Sequence, residues 1–178
     1  LHAYHITNLM VKMIEEIPIM DGSASEFCKM VEEAGVEEQE ESINELIIDR
    51  KMEIVHKDKS LVIEPADIFS IHFFLDYPPP IGQQTLDFVL ESEEAFKDQV
   101  APARTFGFLK DIEKLERMGL AGGGRLHNII LVDNEKIVNT ELRFPDEFVR
   151  HKILDLIGDF YLLNRPVRGS VTARLTDP

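Results

Sequence analysis

The chain has 178 residues, a length that suits one domain of ordinary size, or one domain together with a piece of another. Its net charge of −14 argues against a nucleic-acid-binding surface, which needs basic patches. An apolar fraction of 44% is enough for a packed core, and no apolar run approaches the roughly 20 residues of a membrane span.

Cys28 is the only cysteine, so the sequence contains no disulfide framework, and a reducing cytoplasm fits. We find no signal peptide. The chain begins with Leu1 rather than methionine, and we interpret it as a fragment of a longer protein.

The first third of the chain predicts one strand, one helix and a linker. Residues 6–14 are apolar over a strand-like length, and we expect a strand of a sheet that began before Leu1. Asp21 or Ser23 can cap a helix that Gly35 ends. The acidic residues 37–41 are the candidate linker.

The middle of the chain predicts a run of strands. Residues 46–55 and 60–64 flank a polar turn and form a plausible hairpin. Residues 68–77 predict another strand, in which Ile71, Phe73 and Leu75 alternate with the polar side chains of Ser70, His72 and Asp76. The three prolines at 78–80 force an extended connection before the next strand, residues 85–90.

Further along, Ser92 begins a helix that runs towards Val100. The glycine-rich residues 119–124 lack the Gly-Lys-Ser/Thr ending of a phosphate loop, so we expect a flexible turn. Residues 128–132 predict a strand followed by a hairpin turn, and residues 167–175 predict the last strand.

The most informative stretch is residues 144–163, a predicted helix. Pro145 suits the first turn of a helix, and Asn164 accepts the left-handed conformation that follows one. Helical spacing places one broad apolar side on this helix, which should be buried, made by Val149, Ile153, Leu156, Ile157, Phe160 and Tyr161.

The opposite side of this helix is polar. His151, Asp155 and Asp159 follow one another at intervals of four residues and share one face. An imidazole and a carboxylate one turn apart can both reach one divalent metal, and mixed nitrogen and oxygen ligands suit zinc. The alternative is a solvated face with an ordinary His–Asp contact, because a catalytic zinc takes three protein ligands and this helix offers two.

Residues 104–108 are a second candidate for chemistry. Aromatic side chains beside a glycine and a hydroxyl can form the wall of a binding site. Packing between two flanking helices is the alternative interpretation.

Three blocks of sequence, in this order along the chain, resemble the zinc-dependent UDP-3-O-acyl-N-acetylglucosamine deacetylases, which carry out the committed step of lipid A synthesis. The blocks are residues 17–24 (Ile-Pro-Ile-Met-Asp-Gly-Ser-Ala), 103–111 (Ala-Arg-Thr-Phe-Gly-Phe-Leu-Lys-Asp) and 146–159, which opens Asp-Glu-Phe-Val-Arg-His-Lys.

The resemblance implies an α+β fold of two domains, each a small sheet packed on helices, with the site in the cleft between them. Residues 1–41 would be the end of the first domain, and residues 42–178 would be the second domain without its C-terminal end. Residues 119–139 would correspond to an insertion that forms a hydrophobic passage for the acyl chain of the substrate.

The resemblance also implies roles for individual residues. His151 and Asp155 would be zinc ligands, and zinc would hold the water that attacks the acetamide carbonyl. Thr105 would stabilise the oxyanion, Lys152 would bind the substrate, and Asp159 would pair with the catalytic histidine. Two further residues, Phe106 and Phe108, would line the substrate site.

The chain departs from the family pattern at both ends. The family's third zinc ligand and glutamate base would precede Leu1, and its catalytic histidine would follow Pro178. No other histidine of the chain stands at a matching position. We therefore expect the fragment alone to be inactive and to bind zinc weakly.

Other interpretations remain open. Some members of the family are fused to an acyl-carrier dehydratase, a possible partner domain here. The chain could also be a degenerate or truncated relative that serves as a binding or interaction domain, or an acidic α+β domain that binds no metal.

Overall fold

The computed structural model describes residues 1–14, 16–111 and 128–174. In these ranges the chain forms nine strands and three complete helices, after a short 3₁₀ turn at His2–Tyr4, and residues 109–111 are helical as well. The helices are α1 Ser25–Ala34, α2 Glu93–Gln99 and α3 Glu147–Tyr161. The strands are β1 Leu46–Ile47, β2 Met52–His56, β3 Lys59–Glu64, β4 Ser70–Asp76, β5 Gln83–Val89, β6 Phe106–Phe108, β7 Ile130–Val132, β8 Val167–Arg168 and β9 Ser170–Arg174.

A five-stranded sheet in the order β2-β3-β9-β4-β5 forms the centre of the fold. Its neighbouring strands are antiparallel except β4 and β9, which run parallel. On β4 the predicted alternation holds: Ile71, Phe73 and Leu75 are buried, with Phe73 only 1% exposed. Because side chains of a strand alternate between its two faces, β4 offers one apolar face to the core.

Helix α3 lies against β4 and β5 and covers this part of the sheet. Its predicted apolar side is the side that faces the core, since Val149 and Ile153 are fully buried and Leu156 and Ile157 nearly so. The described residues thus form an α+β fold in which helices pack on sheets, as the sequence predicted.

The predicted helix ends are confirmed at three positions. Gly35 ends α1 with a positive φ of 78°, and Asn164 follows α3 with a φ of 55°. At the start of α2, the Ser92 hydroxyl accepts a hydrogen bond from the backbone N–H of Ala95 at 3.1 Å. Each of these residues satisfies backbone groups that a helix leaves free at its ends.

The prediction of a strand at residues 6–14 is wrong. This segment has no regular secondary structure, and its apolar side chains after Ile6 are exposed, Met10 to 80%. A strand is stabilised by hydrogen bonds to a neighbour, and none of the described strands pairs with this segment.

Two predicted strands are each divided in two. Residues 46–55 form β1 and β2, and residues 167–174 form β8 and β9, so that β1 and β8 make a separate parallel pair. Gly169 lies at the second division, where a Cβ atom would come within 2.7 Å of the Ile48 side chain. The close approach of these two segments bends the chain from one sheet into the other.

No helix in the described part of the chain is both long enough and apolar enough to cross a membrane.

Candidate active site

A buried carboxylate, that of Glu147 in the first turn of α3, organises the surroundings of the candidate site. It is 0% exposed. Its Oε1 accepts hydrogen bonds from the backbone N–H and Nε of Arg104 at 3.0 and 2.8 Å. Its Oε2 accepts from the backbone N–H of Arg143 at 2.6 Å and from Nη2 of Arg104 at 3.2 Å. Burial alone would raise the pKa of Glu147, but these hydrogen bonds outweigh it and hold the pKa below its usual range.

Arg143 connects this carboxylate to the loop at residues 21–23. Its guanidinium donates to the Pro102 carbonyl at 2.8 Å and to Oδ2 of Asp21 at 2.6 Å. Oδ1 of Asp21 accepts from both the N–H and the hydroxyl of Ser23. Three segments that are distant in sequence are therefore held together by one hydrogen-bond network.

His151 lies one helical turn after Glu147 and is buried, with 7% of its surface exposed. Its Nδ1 is 3.0 Å from the carbonyl oxygen of Ala103. Since a carbonyl can only accept, we assign the ring proton to Nδ1, which leaves a lone pair on Nε2. That Nε2 is 3.4 Å from Oδ1 of Asp155.

This pair has the geometry of two metal ligands. In a tetrahedral zinc site with bonds of about 2.1 Å, neighbouring ligand atoms are about 3.4 Å apart, which agrees with the observed Nε2–Oδ1 separation of 3.4 Å. Metal-binding histidines usually donate their other ring N–H to a carbonyl or carboxylate, as His151 does to Ala103. The residues present therefore fit zinc, although among residues 1–14, 16–111 and 128–174 no three metal-ligating side chains form a group.

Lys152 and Phe106 adjoin this pair. Nζ of Lys152 is 3.4 Å from Oδ2 of Asp155 and 5.6 Å from the centre of the Phe106 ring. Phe106 packs edge-on against Phe148, with 4.9 Å between ring centres, and lies 6.4 Å from the His151 ring. The structure thus brings a cation, a carboxylate, an imidazole and an aromatic face together.

Phe108 lies further from the His–Asp pair. Its ring centre is 5.7 Å from that of Tyr77, which also packs edge-on against Phe106. A cavity of about 170 Å³ opens beside it, lined by Phe108, Leu109, Lys110, Val132, Asp133 and Asn134. The sequence prediction missed the β6 strand, because a three-residue strand has too few residues to show alternation. It placed Tyr77 at the end of a predicted strand but did not name it as a site residue.

Thr105 is held by its backbone on two sides. Its N–H donates to the Gly22 carbonyl at 2.7 Å, and its carbonyl accepts from the N–H of Ile130 at 2.8 Å. Gly22 has a φ of +87°, and a Cβ atom there would come within 2.3 Å of the Asn128 carbonyl oxygen. The turn at residues 21–23 can therefore approach Thr105 only because residue 22 is glycine.

Asp159 lies one turn after Asp155 and is exposed to solvent. Although Asp159 is exposed overall, its carboxyl group loses part of its hydration to the surrounding protein, and this loss raises its pKa. The negative charge of Asp155 raises the pKa further, while the Lys152 ammonium lowers it. The predicted site residues therefore fall into three sets. His151, Lys152, Asp155 and Phe106 are together, and Thr105 is anchored through its backbone. Phe108 contacts Tyr77, and Asp159 follows Asp155 by one helical turn.

A model of the UDP-3-O-acyl N-acetylglycosamine deacetylase family (LpxC) matches residues 1–176. The chain belongs to this family. The resemblance seen in the three sequence blocks is confirmed, and so is the α+β fold class. The domain boundaries and the roles of individual residues stay predictions.

Several curated relatives carry the name UDP-3-O-acyl-N-acetylglucosamine deacetylase. The relative from Myxococcus xanthus is 48% identical over 176 residues, which cover 96% of this chain and 55% of the relative. The relative from Helicobacter pylori strain 26695 is 46% identical, with 97% and 59% covered. The relative from Anaeromyxobacter dehalogenans is 49% identical, with 89% and 52% covered. The chain thus spans between 52% and 59% of the length of these three deacetylases.

Replacing Gly22 with alanine should destabilise the fold strongly. A positive φ costs a non-glycine residue about 1–3 kcal/mol, and forcing a methyl group against the Asn128 backbone adds about 1–3 kcal/mol. Gly35→Ala is the matched control, because Gly35 has a φ of +78° but no atom within 4 Å of the added methyl. Urea denaturation measures both variants. If both variants lose the same free energy of unfolding, the backbone at Asn128 moves away from the added methyl group at no cost, and the prediction is wrong.

Replacing Asp21 with asparagine should lower stability in a pH-dependent way. Burial alone would raise the pKa of Asp21, but hydrogen bonds from Ser23 and Arg143 outweigh it and lower that pKa. The ionised carboxylate therefore stabilises the fold above the pKa of an unfolded aspartate, about 3.9, and this stabilisation is lost as the pH falls through the folded value. Since the pair with Arg143 is partly exposed, we expect a loss of about 0.5–1 kcal/mol at pH 7.

The difference in the free energy of unfolding between Asp21→Asn and the parent should become smaller below about pH 4. Urea denaturation at pH 7, 5 and 3 follows it. Asp58→Asn, in the exposed turn between β2 and β3, is the control and should stay within about 0.5 kcal/mol of the parent throughout. A loss for Asp21→Asn that does not change with pH would contradict the electrostatic account.

Proposed function

We propose that the full-length protein containing this chain is a zinc-dependent amidohydrolase. Its substrate would be UDP-3-O-acyl-N-acetylglucosamine, from which it removes the N-acetyl group in the committed step of lipid A synthesis. Membership of the deacetylase family and the names of the relatives support this proposal. The observation that carries it is the pair of His151 and Asp155, whose Nε2 and Oδ1 atoms are 3.4 Å apart.

His151 and Asp155 would hold the zinc. When bound, zinc supplies an activated water at neutral pH and polarises the carbonyl that is attacked. The Nδ1–H of His151 bonds to the Ala103 carbonyl, which keeps the lone pair of Nε2 available. The remaining ligand would come from elsewhere in the full-length protein.

The other residues would act on the substrate. The Thr105 hydroxyl would donate a hydrogen bond to the oxygen that becomes negative as the amide is attacked. Lys152 would bind a substrate oxygen, since it is cationic and adjoins Asp155. Asp159 would hold the catalytic histidine of the full-length protein and stabilise its charged form.

The apolar part of the substrate would lie along the aromatic side. Phe106 and Phe108 would line the binding site, and their common contact with Tyr77 supports one continuous aromatic wall. We also propose that residues 1–41 end a first domain and that residues 42–178 belong to a second. Part of the acyl passage predicted at residues 119–139 lies outside the described residues.

The deciding experiment replaces His151 with alanine in the full-length protein. We expect the parent to hold one zinc per chain and to release acetate from the substrate. The variant should lose the zinc, and its turnover should fall more than about 100-fold. Removing a residue that only hydrogen-bonds to a metal ligand already lowers metal affinity or activity about 10- to 100-fold. Metal analysis and an acetate-release assay measure the two effects.

The control is His56→Ala, which removes an exposed histidine of β2. It should keep both zinc and turnover. If the parent binds no zinc, or if His151→Ala behaves like the parent, the enzyme proposal fails. The chain would then be a relative that serves as a binding or interaction domain.

A further inference from the structure

We propose that Glu147 is a positioning residue for the candidate metal site, acting through the peptide group that joins Ala103 to Arg104. Glu147 holds the N–H of this group, and the carbonyl at its other end orients His151. The inference rests on the proposed function, since His151 is taken there as a zinc ligand.

Both contacts belong to one rigid unit. The N–H of Arg104 donates to Glu147 at 3.0 Å, and the carbonyl of Ala103 accepts from His151 at 3.0 Å. These two groups are the ends of the same planar peptide group, in which a trans bond points N–H and C=O in opposite directions. Fixing the N–H therefore also fixes the direction of the carbonyl.

Glu147 and His151 are four residues apart in α3. Residues at this spacing lie on the same helix face, about 6 Å apart along the axis. The peptide group bridges this one turn, bound by Glu147 at one end and by His151 at the other. The helix, the carboxylate, the peptide group and the imidazole thus form a closed ring of contacts.

The tautomer of His151 depends on the Ala103 carbonyl. A neutral imidazole has two tautomers, and the partner of one nitrogen decides which atom carries the proton. If the Ala103 carbonyl turns away, the proton can move to Nε2, which is the atom beside Asp155. His151 would then present an N–H where a metal ligand needs a lone pair.

The same anchor holds the segment that carries Thr105. Thr105 directly follows Arg104, and its own N–H and carbonyl are bound to Gly22 and Ile130. The backbone from Ala103 to Thr105 is therefore fixed at every peptide group that leads to the proposed oxyanion donor. Glu147 supplies the part of this anchoring that comes from α3.

The test is Glu147→Gln in the full-length protein. Each carboxylate oxygen of Glu147 accepts from two N–H groups. Glutamine keeps the shape of the side chain but replaces one oxygen by an NH₂ group, which cannot accept and therefore faces two N–H donors. We expect kcat to fall about 10- to 100-fold and zinc affinity to fall by a similar factor. KM should stay within about twofold, since the Glu147 side chain is fully buried and offers no surface to a substrate.

A second readout needs no metal. Nitrogen-15 NMR of the zinc-free protein reports which ring nitrogen of His151 carries the proton. The parent should show the Nδ1–H tautomer, and Glu147→Gln should shift the population towards Nε2–H. Glu147→Asp is the second variant: it keeps the charge but is one methylene shorter, and it should show a smaller shift in the same direction.

The matched control is Glu32→Gln. Glu32 also accepts two hydrogen bonds, from the Tyr4 hydroxyl at 2.8 Å and from Lys97 at 2.5 Å, but it is not among the residues around His151. It should lose stability while keeping the His151 tautomer, kcat and zinc affinity. A purely structural role for Glu147 would make the two amide variants alike in these three readouts.

The outcomes separate the two proposals. If either Glu147 variant folds and keeps the parent's tautomer and kcat, the positioning role is wrong, and zinc-dependent turnover by the parent leaves the proposed function standing. If the parent shows no zinc-dependent turnover, the proposed function fails, and the tautomer measurement still decides whether Glu147 orients His151.

Discussion

The buried carboxylate of Glu147 is the interaction on which the arrangement of the site depends. Removing a charge from water is costly unless hydrogen bonds and an opposite charge replace the lost hydration. Here four N–H groups from Arg104 and Arg143 do so. Because two of these groups belong to the backbone, the interaction fixes the path of the chain as well as the side chains.

This network gives a physical reason why the three sequence blocks occur together. Arg143 bonds to Asp21 in the first block and to Pro102, which directly precedes the second. Glu147 is the second residue of the third block and holds Arg104 in the second. The blocks are separate in sequence, yet they form one hydrogen-bonded unit around His151. A change in any one of them alters the contacts of the other two.

Local patterns predicted most of the regular structure. The alternation in β4 and the helical ends at Gly35 and Asn164 depend on a few neighbouring residues, so they can be read directly. The strand β6 was missed because its three residues are too few to show alternation, and its pairing with the distant β7 cannot be read from neighbouring residues. At residues 6–14 the error is the reverse, a strand that was predicted and is absent, since apolar composition alone does not supply a partner strand. The Ala103 carbonyl could not be predicted as the hydrogen-bond partner of His151, because every residue has a backbone carbonyl.

An ionic anchor at this place has one advantage over an apolar one. Replacing a buried ion pair by well-packed apolar side chains is often neutral or stabilising, so stability alone does not explain Glu147. Apolar contacts, however, are not directional, and a peptide group resting on a leucine could rotate about its long axis at little cost. Hydrogen bonds to a fixed carboxylate prevent that rotation. The Ala103 carbonyl keeps one direction, and through it so does the imidazole of His151.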